Sequence, residues 1–385
     1  MNTFLLGADG ATRSVTLAAA PNYQRPVGPL RSRTAYAAAH IVPRASANNV
    51  PGAPADIDWD ETLDFRRHLW SWGLGVADAM DTAQRNMGLD HAATRELIRR
   101  SSIEAKSVAG GIVVGVNTDQ VDDEVISLDR VIGAYLEQLH FAEDQGVGVV
   151  LMASRHLARA ARSPADYARV YAEVLSRAGA PVILHWLGAA FDPVLEGYFG
   201  STDWRSAAST VIGIIRDNAT AVSGIKMSLL DASAEVAVRS ELPSAVAMFT
   251  GDDFNYVSLI EGADGAHSDA LLGAFAAIGP TASAAIQALD RSELESYRRI
   301  LGPTEGLSRQ IFAAPTFYYK TGVAFLSWLN GHQGAFSMVG GLQSARSLVH
   351  LSEIVRLADA AGALEVPEIA ASRWNAMLAL NGFEL

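Results

Sequence analysis

Short apolar segments alternate with segments of helical periodicity along most of the chain. The apolar segments are rich in Val, Ile and Leu at consecutive positions, a pattern typical of strands that are buried on both faces. Strands are predicted over residues 34–42, 73–81, 110–119, 146–154, 181–188, 222–230, 245–253 and 265–273. Helices are predicted between them over residues 59–72, 90–106, 127–144, 163–178, 204–218, 232–242 and 255–261. Eight strand–helix units favour an α/β fold of the (β/α)8 type, the TIM barrel.

The two ends of the chain add further elements to this barrel. The first residues alternate between apolar and polar positions and turn at Asp9-Gly10, which predicts a β-hairpin rather than a signal peptide. We predict an N-terminal hairpin and arm over residues 1–33, a barrel over 34–290 and a C-terminal helical region over 291–385. The C-terminal helices either cover the barrel or form a subunit interface. A doubly wound open sheet is disfavoured, because no Gly-x-Gly-x-x-Gly sequence follows the first strand and no Walker loop is present.

Composition excludes several kinds of partner and site. The 385 residues carry a formal net charge of −12 without a basic stripe, so neither nucleic acid nor an anionic membrane surface is an expected partner. No apolar run approaches the ~20 residues of a membrane-spanning helix. The absence of cysteine excludes disulfides and thiolate metal sites. These features favour a cytoplasmic protein that acts on a small molecule.

Polar side chains are concentrated at the ends of the predicted strands. TIM-barrel active sites lie at the carboxyl ends of the strands, which we call the barrel mouth. The candidates there are His40, Asp78, Asp81, Thr82, Asn117, Thr118, Asp119, Ser154, Arg155, His156, His185, Lys226, Thr250, Asp252, Asp253, His267, Ser268 and Asp269. From these we predict a catalytic pair, Lys226 and His185. The predicted substrate-binding residues are Asp81, Thr82, Asn117, Ser154, Asp252 and His267.

Lys226 is the leading candidate for a reactive residue. Lysine supplies only three of the 30 basic residues, and Lys226 lies within an apolar strand. Burial lowers the pKa of an amine, and the free lone pair can attack a ketone to form a Schiff base. The alternative is that Lys226 pairs with a carboxylate at the barrel mouth, such as Asp252 or Asp81.

The roles of the neighbouring candidates are left open by the sequence. His185 acts either as a general acid/base or as a hydrogen-bond donor to a nearby backbone carbonyl. Asp252 and Asp253 are adjacent, so one is expected to face the barrel mouth and the other to cap the next helix. The aromatic run that ends at Lys320 is assigned to packing rather than to the site.

Three segments resemble the dihydrodipicolinate synthase/N-acetylneuraminate lyase superfamily. Gly224-Ile225-Lys226 is similar to the Schiff-base segment of that superfamily. Residues 181–193 are similar to its fifth strand. Residues 249–280 are similar to its seventh and eighth strands, where a Gly-Asp pair is followed by Gly-Ala-x-Gly. The resemblance covers residues 34–280 and is strongest to a branch of unknown function with a longer C-terminal helical region.

This resemblance implies a (β/α)8 barrel, a lysine nucleophile at Lys226, 2-keto acid substrates and often a homotetramer. The chain departs from the superfamily at three places. His185 stands where the superfamily has a fifth-strand tyrosine, Asp81 and Thr82 fall on its Gly-Thr-Thr carboxylate-binding turn, and the arginine that follows its fifth strand is missing. An acidic residue on that turn repels the carboxylate of pyruvate, so we expect a hydroxylated or neutral keto-sugar to fit better.

Three functions are therefore considered. The leading one is a class I aldolase or lyase without a cofactor, in which Lys226 forms the Schiff base with a keto acid or keto-sugar, His185 moves protons, and Asp81 or Asp252 orients substrate hydroxyls. The second is a sugar isomerase, epimerase or lyase that uses a divalent metal ion. Its ligands would be His40, Asp81, His185 and His267. The third is a non-enzymatic barrel that binds a keto acid or sugar. A homodimer or homotetramer is expected in each case.

Overall fold

In residues 1–263 and 265–385, which the computed structural model describes, eight parallel strands close into a barrel. An antiparallel hairpin, β1 (Asn2–Leu6) and β2 (Thr12–Thr16), precedes them. The barrel strands are β3 (Ala35–Ala38), β4 (Gly75–Asp78), β5 (Ile112–Val116), β6 (Gly148–Leu151), β7 (Val182–Leu187), β8 (Val222–Ser228), β9 (Ala247–Thr250) and β10 (Asp269–Leu272). Each strand pairs with the next in the chain, and β10 pairs with β3. The predicted (β/α)8 barrel with an N-terminal hairpin is confirmed.

Helices surround the barrel and extend beyond it. Around the barrel lie α1 (Trp59–Ser71), α2 (His91–Ser107), α3 (Leu128–Asp144), α4 (Arg155–Ala160), α5 (Pro164–Leu175), α6 (Trp204–Asp217), α7 (Ala232–Glu241), α8 (Tyr256–Glu261), α9 (Gly273–Ala277) and α10 (Gly279–Asp290). The chain continues with α11 (Leu294–Leu301), α12 (Thr304–Ile311), α13 (Tyr319–Leu329), α14 (Leu348–Ala360) and α15 (Pro367–Leu380). No described helix is both long enough and apolar enough to cross a membrane.

Capping residues in the sequence fix where several of these helices begin. Asp58, Asp90, Ser127 and Asp203 each accept a hydrogen bond from a backbone N–H in the first turn of α1, α2, α3 and α6. Such a side chain satisfies one of the N–H groups that the first helical turn leaves without a partner. The helices therefore start next to the residues at which the sequence predicts them to start.

The barrel interior is filled by apolar side chains below its mouth. A buried cluster joins inward-facing residues of neighbouring strands, among them Ala38, Val113, Ile183, Phe249 and Leu271. A larger apolar cluster lies between the strands and the surrounding helices. Both faces of each strand are thus buried, which explains why the strands are apolar at consecutive positions. Lys226 and His185 are exceptions, since both are buried polar side chains within strands.

The C-terminal helices cover the barrel mouth. Ser308 on α12 donates a hydrogen bond to the backbone carbonyl of Asp253 (2.6 Å), just after β9. Tyr319, the first residue of α13, forms a hydrogen bond of 2.8 Å with Thr82, just after β4. Residues of α12 and α13 therefore contact the segments that follow β9 and β4 at the mouth.

The N-terminal hairpin packs against the end of the chain. Leu6 N donates to Ser352 Oγ on α14 (2.7 Å), and Trp374 Nε1 on α15 donates to Phe4 O (2.6 Å). Trp374 is fully buried in this contact. The hairpin and the last two helices thus form one packed layer beside the barrel.

Candidate active site

The two predicted catalytic side chains lie next to each other on β7 and β8. The strands run parallel in a register that pairs His185 with Lys226. Because side chains alternate along a strand, Ser228 faces the same side as Lys226. His185 Nε2 lies 3.3 Å from Ser228 Oγ. Pairing of β7 with β8 therefore brings His185 and Lys226 together, although they are far apart in sequence.

Lys226 is buried inside the barrel, with 7% of its surface exposed. Burial lowers the pKa of its amine below the ordinary value of 10.5, and the negative charges of Asp81 and Asp253 act in the opposite direction. No hydrogen bond from a described residue is among the influences on this pKa. The amine is thus partly desolvated and under the influence of two carboxylate charges, with its lone pair more available than that of a surface lysine.

The space for the Lys226 side chain depends on Gly251, which follows β9. A methyl group at this position would lie 2.1 Å from Ser228 Oγ, 2.8 Å from Lys226 Cε and 2.9 Å from the backbone carbonyl of Met227. These distances are far below ordinary van der Waals contact. The glycine of the Thr-Gly-Asp-Asp segment therefore allows β8 and the β9 turn to approach each other around the lysine.

The adjacent aspartates after β9 have different roles. Asp252 accepts hydrogen bonds from the backbone N–H and the side-chain amide of Asn255 (3.1 and 2.8 Å), so it stabilises the turn before α8. Asp253 Oδ1 accepts from Ala274 N (2.9 Å). Burial raises the pKa of Asp253, and the positive charge of Lys226 opposes that rise. The charge of Asp253 thus acts on the lysine, whereas that of Asp252 is not among the influences on its pKa. The contact of Asp252 with substrate stays a prediction.

His185 is a neutral imidazole in this setting. It is fully buried, and burial together with the nearby charge of Lys226 holds its pKa well below the ordinary value of 6.5. Its Nδ1 is buried and has no hydrogen-bond partner among the described residues. The alternative in which His185 donates to a neighbouring carbonyl is therefore not what the structure shows.

An aromatic cluster of Phe191, Phe312 and Tyr319 lies over the barrel mouth. The rings of Phe312 and Tyr319 are stacked, with centroids 4.4 Å apart and planes at 12°, and Phe191 meets Tyr319 edge-on at 5.8 Å. The Tyr319 hydroxyl contacts Thr82, next to Asp81. All three rings are buried, and electrostatic interactions are stronger in such a low-dielectric surrounding than in water.

Lys320 brings a second buried lysine to the mouth. Only 2% of its surface is exposed, and its Nζ lies 4.5 Å from the centroid of the Tyr319 ring. Burial lowers the pKa of Lys320 to about 8, against the charges of Asp81 and Asp192. Asp192 in turn accepts a hydrogen bond of 2.6 Å from Arg155 Nε. The sequence assigned Lys320 to packing, because its distance along the chain from the barrel strands hid this placement.

Asn117 and Ser154 take part in local hydrogen bonds at the ends of β5 and β6. Asn117 Oδ1 accepts from Thr118 N (2.8 Å), and Thr118 Oγ1 lies 2.6 Å from Ser154 Oγ. Ser154 also caps α4 by accepting from Leu157 N (3.1 Å). Their predicted contact with substrate stays a prediction, and the structure shows that both residues shape the loops around the mouth.

Two predicted metal ligands lie away from the mouth. β10 begins at Asp269, so His267 precedes the strand and is exposed at the opposite end of the barrel. His40 turns outward, where its Nε2 lies 2.7 Å from Gln333 Oε1 and its ring meets Phe65 edge-on. Burial lowers the pKa of His40 to about 3. The predicted set of His40, Asp81, His185 and His267 therefore does not assemble, because the eighth strand starts later than predicted and β3 ends before His40.

Solved structures of dihydrodipicolinate synthases share the fold of the chain. The enzyme from Thermotoga maritima matches with 15% identity and a TM-score of 0.64, over 86% of this chain and 99% of that one. The enzyme from Bacteroides thetaiotaomicron matches with 16% identity and a TM-score of 0.62, over 83% and 98%. The enzyme from Aquifex aeolicus matches with 12% identity and a TM-score of 0.63, over 85% and 97%.

Sequence comparison places the chain within one family. No curated protein matches the sequence. The model of a family described as "Protein of unknown function (DUF993)" matches residues 4–383. That match includes the hairpin and the C-terminal helices as well as the barrel, so both extensions are features of the family. The predicted resemblance to a branch of unknown function with the dihydrodipicolinate synthase fold is confirmed, and the chain belongs to the DUF993 family.

Proposed function

We propose that this protein is a lyase of the class I aldolase type, in which Lys226 forms a Schiff base with a keto acid or keto-sugar. The observation that carries the proposal is the placement of Lys226. It is a buried amine of lowered pKa that feels the charges of Asp81 and Asp253, and it lies near the carboxyl end of a barrel strand. This is the end at which TIM-barrel enzymes carry their reactive groups.

The amine of Lys226 begins the reaction. Its lone pair attacks the carbonyl carbon of the substrate, the carbonyl oxygen takes up a proton, and loss of water from the carbinolamine leaves an iminium ion. The iminium then accepts the electron pair of a carbon–carbon bond that breaks. Alternatively, it accepts the electron pair of a carbon–hydrogen bond whose proton is removed, after which a hydroxyl group leaves. Hydrolysis of the reprotonated product iminium returns the lysine and the product ketone.

Asp253 and His185 are placed to transfer protons in these steps. The raised pKa of the Asp253 carboxyl brings its titration closer to neutral pH, where a group can both give and accept a proton. The neutral His185 imidazole, next to Lys226 in the strand register, can donate or accept at the nitrogen that faces Ser228. We assign proton transfer at the carbonyl oxygen to Asp253, because its charge acts on the amine and its pKa is raised.

The charges around the mouth favour some substrates over others. Asp81 disfavours a carboxylate next to the turn after β4, whereas Lys320 supplies a buried cation that comes from the C-terminal region. A keto-sugar, or a keto acid long enough for its carboxylate to reach Lys320, fits this distribution better than pyruvate does. Hydroxyl groups on such a substrate would find acceptors in Asp81 and Asp192.

Reductive trapping tests the proposal directly. The full chain is incubated with borohydride and a panel of pyruvate, longer 2-keto acids and keto-sugars, and the adduct is located by intact-protein and peptide mass spectrometry. We expect a stable adduct on the peptide that contains Lys226. The absence of any adduct, together with binding of a panel member by calorimetry, would overturn the Schiff-base mechanism and favour a non-enzymatic binding barrel.

The pH dependence of trapping should report the charges beside Lys226. We expect the trapping rate to rise with pH, because the free amine is the nucleophile, with a midpoint below the ordinary lysine value of 10.5. The charge of Asp253 raises the pKa of Lys226, so Asp253→Asn should lower that midpoint by on the order of one pH unit. The rate is measured with cyanoborohydride between acid and alkaline pH.

Asp252→Asn is the matched control for that measurement. Asp252 is adjacent in sequence but is not among the charges that act on Lys226, and asparagine is also a good capping residue. Its midpoint should equal that of the wild type. An equal shift in both variants would contradict the assignment of Asp253 as the partner of the lysine.

A further inference from the structure

A cluster of two histidines and one glutamate lies outside the barrel. It consists of His68 on α1, His332 in the turn after α13 and Glu365 before α15. Among residues 1–263 and 265–385, these three form the one group of three or more His, Asp or Glu side chains whose ligand atoms converge. No local sequence motif indicates this cluster, because its members are separated by as many as 297 positions.

The ligand atoms have the spacing of a first coordination sphere. His332 Nε2 lies 2.8 Å and His68 Nε2 lies 3.4 Å from the same carboxylate oxygen, Glu365 Oε1, and the three ligand atoms all lie within 4.8 Å of one another. Metal–ligand bonds of about 2.0–2.1 Å at tetrahedral angles place neighbouring ligand atoms roughly 3.3 Å apart. The two measured nitrogen–oxygen distances are on either side of that value.

The imidazole rings are held in place by their surroundings. The His68 and His332 rings lie 4.1 Å apart, and both pack near Phe65, at 6.3 and 5.6 Å. Asn330 accepts a hydrogen bond from Glu365 N (3.0 Å), which fixes the start of the segment that carries the carboxylate. A site whose ligands are already ordered needs little rearrangement to bind an ion.

The donor atoms of the cluster also suit a transition metal. Two imidazole nitrogens and one carboxylate oxygen are a donor set that zinc and other divalent transition metals prefer, whereas calcium and magnesium prefer oxygen ligands.

We propose that His68, His332 and Glu365 bind one divalent transition-metal ion, with zinc as the expected occupant, and that this ion ties the C-terminal region to the first helix of the barrel. Three protein ligands leave the fourth position for water. The site is separate from Lys226, and the Schiff-base step needs no metal. Failure of one proposal would therefore leave the other unaffected.

The alternative is a hydrogen-bonded cluster without a metal, in which both histidines donate to the glutamate. The two arrangements differ in metal uptake. Tag-free full-length protein is stripped with a chelator and titrated with Zn²⁺ by calorimetry, and with Co²⁺ by visible absorption. We expect one Zn²⁺ per chain, a higher melting temperature on binding and Co²⁺ bands typical of four- or five-fold coordination. Wild-type protein that takes up no ion in either titration would overturn the proposal without any variant.

Variants then locate the bound ion. His332→Gln and Glu365→Gln should each weaken Zn²⁺ binding by about 100-fold or more, since even outer-sphere changes cost 10–100-fold. His140→Gln, at an exposed position on α3, should bind as the wild type does. Unchanged affinity in both cluster variants would show that the ion binds elsewhere. Trapping at Lys226 in the metal-free protein provides the separate measure of the proposed function.

Discussion

Lys226→Ala is expected to abolish trapping by every member of the substrate panel and to reduce turnover of the trapped substrate by a factor on the order of 10⁴ to 10⁶. Loss of a covalent nucleophile has an effect of this size because the remaining groups act only through it. The variant should keep the wild-type fold, because removal of the buried amine relieves its desolvation cost and the buried Asp253, whose pKa is already raised, can take up a proton. Adduct formation and kcat are measured on the same preparation.

Lys226→Arg separates the nucleophile from the alternative in which Lys226 is only a charge partner. Arginine keeps the positive charge between Asp81 and Asp253, but its guanidinium stays protonated and does not attack a ketone. If the lysine is a nucleophile, Lys226→Arg is as inactive as Lys226→Ala. If it is a charge partner, the arginine variant keeps substantial turnover. Lys106→Ala, which removes an exposed lysine on α2, should be unaffected in both assays.

The barrel and the burial of Lys226 within it were predictable because both leave a local signal. A strand that is buried on both faces must be apolar at consecutive positions, so a polar residue such as Lys226 within one stands out. Strand alternation then fixes which residues share its face, as Ser228 does. The preference for a substrate, by contrast, depends on charged side chains that other helices and strands bring to the site.

The sequence did not determine which of two adjacent residues lies at the barrel mouth, or at which residue a strand begins. Asp252 and Asp253 are chemically identical, and the choice between them depends on the turn after β9, where Asp252 bonds to Asn255. His267 was assigned to the wrong end of the barrel because the apolar part of its segment begins only at Ala270, so the strand starts at Asp269. Boundaries of this kind depend on pairing with neighbouring strands, which a single segment does not encode.

Residues contributed by the C-terminal region were missed for a different reason. Lys320, Tyr319 and Glu365 carry no periodic or motif signal that relates them to the barrel. They reach their partners only through tertiary packing. The contacts of Tyr319 with Thr82 and of Glu365 with His68 join positions more than 200 residues apart, and no pattern within a window of one helix or strand can show them.

The largest effect on stability is expected from Asp78→Asn. Arg66 Nε and Nη2 donate to the two carboxylate oxygens of Asp78 (2.9 and 2.6 Å), and neither side chain is exposed. Arg66 Nη1 also donates to the backbone carbonyls of His40 and Thr62 (3.0 and 2.8 Å), so the pair ties α1 to the ends of β3 and β4. Removing one charge leaves the other buried without compensation, which costs about 3–5 kcal/mol.

That loss corresponds to a fall of about 4–6 °C in the melting temperature of a chain of this length, measured by circular dichroism at pH 7. Arg66→Met combined with Asp78→Asn should recover much of it, because the isolated buried charge is then gone. Asp9→Asn, which breaks the exposed pair with Arg13, should leave the midpoint unchanged. A single Asp78→Asn variant as stable as the wild type would mean that water or another acceptor reaches Arg66. In that case the pair would not be what holds α1 against the barrel, and the position of His68 on that helix would have to be fixed by its contacts with the C-terminal region instead.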